Sequence, residues 1–232
     1  MSNVYGENGF QSYMTYQSGA QELTESRYNL IIGATLTWGF FLNYLLLQFA
    51  GPMVFHLVYG TGWLTFLIAY IVLVMIGSSM VRSYNPVKCF IGYNLIAVPV
   101  GVVVAAAVIG YDPAIVTRAA LSTAVVTLSM MIISMLVPQV FTRFAPALGI
   151  SLLAVILVES VSMFLFRADL TILDWVVVGI MCMYIGFDWV RANSVQRTTT
   201  NAIAAASALY LDIINIFLRL LRILARNRRN NN

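Results

Sequence analysis

The chain has 232 residues, 60% of them hydrophobic and only 9% charged. Soluble domains carry about a quarter charged residues, so this composition excludes an ordinary soluble fold and points to a multi-spanning membrane protein. The formal net charge of +4, with Lys88 the only lysine, fits basic cytoplasmic loops better than a nucleic-acid surface, which needs a clustered basic face.

The first stretch, Met1 to Tyr28, is polar and contains Glu7, Glu22 and Glu25. It lacks a basic segment followed by an apolar one, so it does not read as a cleavable signal peptide. It is predicted to be a flexible cytoplasmic tail whose tyrosines, Tyr5, Tyr13, Tyr16 and Tyr28, offer contacts to a partner. Seven apolar segments follow, each close to the roughly 20 residues a spanning helix needs: 29–49, 63–81, 87–109, 114–137, 145–166, 172–190 and 202–224. Between them stand "AGP" at 50–52, "GTG" at 60–62, "SYNP" at 83–86, "GYDP" at 110–113 and "RFAP" at 143–146, where glycine and proline end one helix and admit the next. "TTTN" at 198–201 supplies side-chain oxygens to cap the last segment. The predicted fold class is therefore an all-α polytopic membrane protein, with a tail over 1–28, a seven-helix domain over 29–225 and a basic polar tail over 226–232.

Loop charges set an orientation. With the N-terminus inside, the cytoplasmic loops hold Arg82, Lys88, Arg143, Arg191 and Arg197. The opposite loops hold Arg118 and Arg167, offset by Asp112, Asp169 and Asp174. The C-terminal Arg226, Arg228 and Arg229 object, because they would then lie outside unless the last segment is re-entrant. Seven full spans remain the favoured reading.

Charged residues inside spans are expensive, about 2.5–3.5 kcal/mol each at the helix centre on insertion scales, and must face other helices or a wet cavity. In the last segment Asp212, Asn215, Arg219, Arg222 and Arg226 step by 3, 4, 3 and 4, which places them on one helix face. The same face continues back through Ala208 and Ala205 in the small run "AIAAASA", where neighbouring helices can approach closely. Arg222 and Arg226 are expected to snorkel to the interface. Arg219 is open between anchor and inward partner, and Asn215 between packing glue and support for Asp212. Asp212 is too deep to snorkel. Its expected partner is Asp188 in "MYIGFDWVRANS", because positions 188 and 212 lie symmetrically about position 200 in the connecting turn, provided that helix continues into the connector. Two carboxylates in one low-dielectric site share a proton, which makes a proton-sensitive latch. The alternative for Asp188 is an interfacial acid paired with Arg191. Glu159 either lines an ion path or stays protonated and hydrogen-bonded. Asn43 and Asn94 read as interhelical hydrogen-bond glue. Arg82 reads as an anchor long enough to reach inward to an acid.

The residues that carry a family resemblance are now in view. "ALYLDIINIFLRLLRIL" resembles the final helix of the Bax inhibitor family, also called the transmembrane Bax inhibitor motif family. "YIGFDWVRA" sits where that family has a Tyr-Asp-Thr-Gln motif, with Trp and Val following Asp188 in place of Thr and Gln. "GSSMVRSYNPVKCFIGYNLIAVPVGVVV" is similar to its second-to-third helix region. The resemblance implies seven helices with the last enclosed by the other six. Its bacterial branch implies a pH-sensitive calcium leak controlled by an aspartate pair, here Asp188 and Asp212, engaged by an arginine at the position of Arg82.

The function expected is a pH-sensitive calcium or cation leak, with Asp188 and Asp212 as pH-sensing and transient calcium-contacting groups and Arg82 as their gate partner. Glu159, Asn215 and Arg219 are candidates for the ion path or its support. No cofactor is expected, calcium being the permeant. The partners are the bilayer, calcium ions and, in the alternative reading, a membrane-protein partner of a regulatory protein; a proton-coupled transporter is the third reading. An enzyme is not expected, since HExxH and GxSxG are absent and the only histidine, His56, lies in a loop. Cys89 and Cys182 lack the spacing of a zinc site. A retinal protein is rejected because Lys88 stands at a helix start. A bacterial inner membrane with the N-terminus in the cytoplasm is the expected location.

Overall fold

The computed structural model describes residues 21–49, 60, 62–165 and 171–231, and His56, Arg167, Asp169 and the tyrosines Tyr5, Tyr13 and Tyr16 lie outside them. The described residues form seven helices and no strand: α1 (Glu25–Phe49), α2 (Trp63–Val81), α3 (Pro86–Val108), α4 (Pro113–Leu136), α5 (Pro138–Leu165), α6 (Thr171–Ser194) and α7 (Thr199–Asn231). Six of them, α1 to α6, are long and apolar enough to cross a membrane. The seventh is enclosed by its neighbours, packing against α1, α2, α3, α4 and α6.

Helix starts follow local chemistry. Asn85 caps α3 by accepting the Val87 and Lys88 N–H groups at 2.9 and 3.3 Å, with Pro86 in the first turn where its missing N–H costs nothing. Asp112 does the same for α4, accepting the Ala114 N–H at 2.8 Å ahead of Pro113.

One predicted break moves. The sequence placed a loop at "RFAP", with Arg143 in it and the fifth span starting at Ala145. In the structure α4 ends at Leu136, and α5 starts at Pro138 and runs unbroken through Pro146. Arg143 is therefore a helical residue. Pro138 already ends the preceding helix, and a proline within a lipid-embedded helix breaks one backbone bond while the remaining groups have no better partner than the helix itself. Pro99 is tolerated inside α3 in the same way.

Both predicted tails are also shorter. The Thr24 carbonyl accepts the Tyr28 N–H at 2.9 Å, α1 begins at Glu25, and Tyr28 is buried with its hydroxyl donating to the Ala192 carbonyl at 3.0 Å. The Leu23 N–H donates to the Arg197 carbonyl at 2.7 Å, and Arg197 pairs with Glu25 at 3.1 Å. These contacts hold residues 23–28 against the α6–α7 turn, so they are not free tail. At the other end α7 stays helical to Asn231 instead of yielding to a tail at position 226.

Close packing around α7 rests on small and hydrogen-bonded side chains. Ala202, Ala204, Ala205 and Ala206 are all buried, as the small run implied. Gly77 and Gly92 bring α2 and α3 together: a Cβ on either would lie 2.7 Å from the other's carbonyl oxygen. Asn94 and Asn43 act as the expected glue. The Trp38 indole donates to Asn94 at 2.9 Å, joining α1 to α3, and the Tyr210 hydroxyl donates to Asn43 at 2.9 Å, joining α7 to α1. Tyr93, edge-on to Tyr210 at 5.7 Å, donates to the Thr35 carbonyl at 2.9 Å. Apolar side chains such as Leu64, Ile68 and Ile71 face outward, as lipid solvation requires.

Candidate functional site

Asp188 lies on α6 and Asp212 on α7, and they are 5% and 8% exposed. Their carboxyl groups approach each other across the two helices. The condition attached to this pairing is met at both ends of the connector, because α6 continues to Ser194 and α7 starts at Thr199. Two ionised carboxylates brought together out of water repel, and one can hydrogen-bond to the other only through a proton held on one of the two acids. Arg191, one turn after Asp188, places Nη1 3.5 Å from Asp188 Oδ1 and lies 5.9 Å over the Phe187 ring. The two readings of Asp188 therefore coexist: it meets Asp212 and Arg191 together. Asp212 Oδ2 is buried with no hydrogen-bond partner. Among the described residues no third His, Cys, Asp or Glu joins this pair to form a metal-binding group.

Arg82 follows the end of α2 and lines a cavity of about 260 Å³ between α2, α3 and α7. Its wall also includes Ser78 on α2, Ile96 on α3 and Ala204, Ser207, Ala208 and Leu211 on α7. Ala208 stands one helical turn before Asp212, so the cavity reaches the turn of α7 that bears the acid. The Arg191 guanidinium stands beside Asp188, and Arg82 lies at this neighbouring cavity. Asn215 is exposed and donates to the Leu211 carbonyl of its own helix at 2.9 Å. Glu159 belongs to α5, and its side chain lies outside the described residues.

A second constellation sits towards the C-terminal end of α7. Asp174, in the first turn of α6, has a side chain only 1% exposed. Its Oδ1 accepts from Arg219 and Arg222, each at 2.9 Å, and its Oδ2 from Arg226 at 3.2 Å. Arg222 and Arg226, expected to snorkel, are 46% and 33% exposed and also meet this acid. A desolvated carboxylate attracts guanidinium groups more strongly than a solvated one, and the i, i+3, i+7 spacing presents three of them to it. Arg219 is resolved as an inward partner. One helix end further out, Arg228 Nη1 meets Asp112 Oδ2 at 2.6 Å. The Ala114 N–H, and then Arg228, hold the Asp112 carboxyl below its usual range. Of the C-terminal arginines that argued against a seventh span, Arg226 and Arg228 find acids at that end.

Asp174 was missed because it reads as a loop acid. The signal was present: positions 174 and 226 are as symmetric about position 200 as 188 and 212 are. The register that paired the two aspartates also pairs Asp174 with the arginine stripe.

No curated protein matches the chain. The model of the family described as inhibitor of apoptosis-promoting Bax1 matches residues 16–229, a span that takes in the two constellations and every helix but the last residues of α7. On that match, the chain belongs to the Bax inhibitor family of multi-pass membrane proteins.

Proposed function

We propose that this protein is a pH-sensitive calcium leak, gated by Asp188 and Asp212, in a bacterial inner membrane with its N-terminus in the cytoplasm. The observation that carries this reading is the approach of two buried carboxyl groups across α6 and α7, an arrangement favoured when one of them holds a proton. Arg191 beside Asp188 favours negative charge there, which leaves the proton to Asp212. Deprotonation puts two like charges in one desolvated site, and their repulsion drives α6 and α7 apart at that level. The cavity beside Arg82 adjoins the same turn of α7, so a shift of α7 there alters the space open to an ion. Separated carboxylates present oxygen ligands of the kind calcium prefers, and a cation in transit needs only weak, transient contacts.

The test is calcium flux into proteoliposomes across a pH series, with Asp188→Asn and Asp212→Asn beside the parent. The reading requires that the parent's flux depends on pH and that either substitution flattens that dependence. Equal flux and equal pH response in all three proteins overturns it.

A further inference from the structure

The enclosure of α7 is incomplete on one side. α4 packs against α6 and α7 but stands off from α1 and α3, which pack against each other and against α7. The gap is a cavity of about 510 Å³ whose floor is Ile213, Ile214 and Phe217 of α7. Phe40 on α1, Val104 on α3 and Ala124 on α4 stand in its walls. Its volume falls within the roughly 300–1,000 Å³ of sites for small organic ligands.

Polar atoms have little part in it, and no charged residue lines it. The Asn43 side-chain oxygen accepts from Tyr210 at 2.9 Å, the Thr123 hydroxyl donates to the Ala119 carbonyl at 2.8 Å, and the Thr127 hydroxyl is occluded. Water is a poor occupant, because it needs two to four polar partners to stay in such a place. An ion would be costly at membrane depth with no opposite charge in the wall. An empty gap would forfeit the dispersion contacts of every side chain that lines it.

The gap opens onto the bilayer. Ala120, Ala124 and Leu128 at its α4 edge are exposed. Leu121 and Val125 beside them, each 64% exposed, continue the same lipid-facing surface. These residues stand in the middle of the span Pro113–Leu136, at the level of acyl chains and away from headgroups.

We infer that a hydrocarbon acyl chain of a bilayer phospholipid enters laterally between α1 and α4 and packs on α7. The uncharged lining, the mid-span depth and the continuity with the lipid-facing surface all select a chain over a polar ligand. Lipid thereby reaches the helix that bears Asp212, at the residue that follows it, Ile213. The inference stands independently of the calcium-leak reading.

Photolabelling of the full chain in phosphatidylcholine nanodiscs tests it, using a trace of phosphatidylcholine with a diazirine midway along one acyl chain. Label is expected on the α7 peptide that contains Ile213 and Phe217, as well as on the lipid-facing Leu153 and Leu157 of α5. Ala124→Phe should fill the gap and abolish the α7 label while the α5 label stays unchanged. If that variant does not fold, Ala120→Leu narrows the same gap with a smaller side chain and should lower the α7 label. The same lipid with its diazirine on the headgroup should leave Ile213 and Phe217 unlabelled. Three outcomes overturn the proposal: no α7 label in the parent, as a second copy seated in the gap would cause; an α7 label that both filling variants leave unchanged; or equal labelling of α7 by the headgroup probe.

Discussion

Near the middle of α7 Asp212 meets another acid, Asp188. Towards its C-terminal end, Arg219, Arg222 and Arg226 meet a single acid, Asp174. Both centres are carboxyl sites at the α6–α7 interface, and Asp174 and Asp188 are about equally withdrawn from solvent. They differ in their compensation. Three guanidiniums converge on Asp174 and clamp α6 to α7. Asp188 and Asp212 have one arginine at 3.5 Å from Asp188, and under the proposed function they share a proton, so that their contact depends on a group that pH can remove. One helix pair thus carries two levels: one clamped by opposite charges, the other, on that proposal, switchable.

The largest expected effect tests the switchable level. Asp188→Asn or Asp212→Asn should reduce the ratio of parent calcium flux between neutral and acidic pH to about one, since an amide cannot lose the proton in question. The fold should survive, because an amide still donates and accepts hydrogen bonds there.

The clamped level should respond in the other currency, stability. Asp174→Ala leaves three guanidiniums facing a site with its carboxylate gone. Breaking a fully buried ion pair costs about 3–5 kcal/mol; with Arg222 46% exposed and Arg226 a third exposed, about 2–3 kcal/mol is expected. Thermal unfolding in detergent followed by size-exclusion chromatography measures it. The pH response of flux in the surviving protein should persist. A lost pH response with intact stability would erase the distinction between the two levels.

Smaller changes sharpen the same contrast. Arg222→Ala removes one of three partners, and that partner is half in water, so the cost should stay below about 1 kcal/mol. A larger loss would mean that the three arginines act as a unit. The smallest effect belongs to Asp112→Asn, which keeps the α4 cap and removes only the charge facing Arg228. The folded-state pKa of Asp112 is lowered, so its charge stabilises the fold above its unfolded pKa, and the contribution disappears as pH falls through the folded pKa. A slightly lower melting temperature for the variant at neutral pH, merging with the parent in acid, is the expected result. A gap that widens in acid would contradict the assignment.

Much of this architecture could be read from residue order. Apolar length located the spans, and the 3- and 4-residue steps from Asp212 to Arg226 put the polar stripe on one face. Symmetry about position 200 paired Asp188 with Asp212. Asp174 was misread for an identifiable reason: it stands near an apparent loop, and depth in a bundle depends on which helix covers a helix end. Pro146 misled because a proline's effect on a helix depends on whether its neighbours have water or lipid as the alternative partner.

Residue order alone therefore determined that the chain lives in a membrane, that its last helix carries charge on one face, and that this face must be covered by other helices. These follow from solvation, which acts on each segment separately. Only the tertiary structure decided which charge meets which across helices: three arginines on Asp174 and Arg228 on Asp112. Those pairings depend on distances of a few ångströms between helices far apart in sequence, where packing rather than periodicity sets the contact.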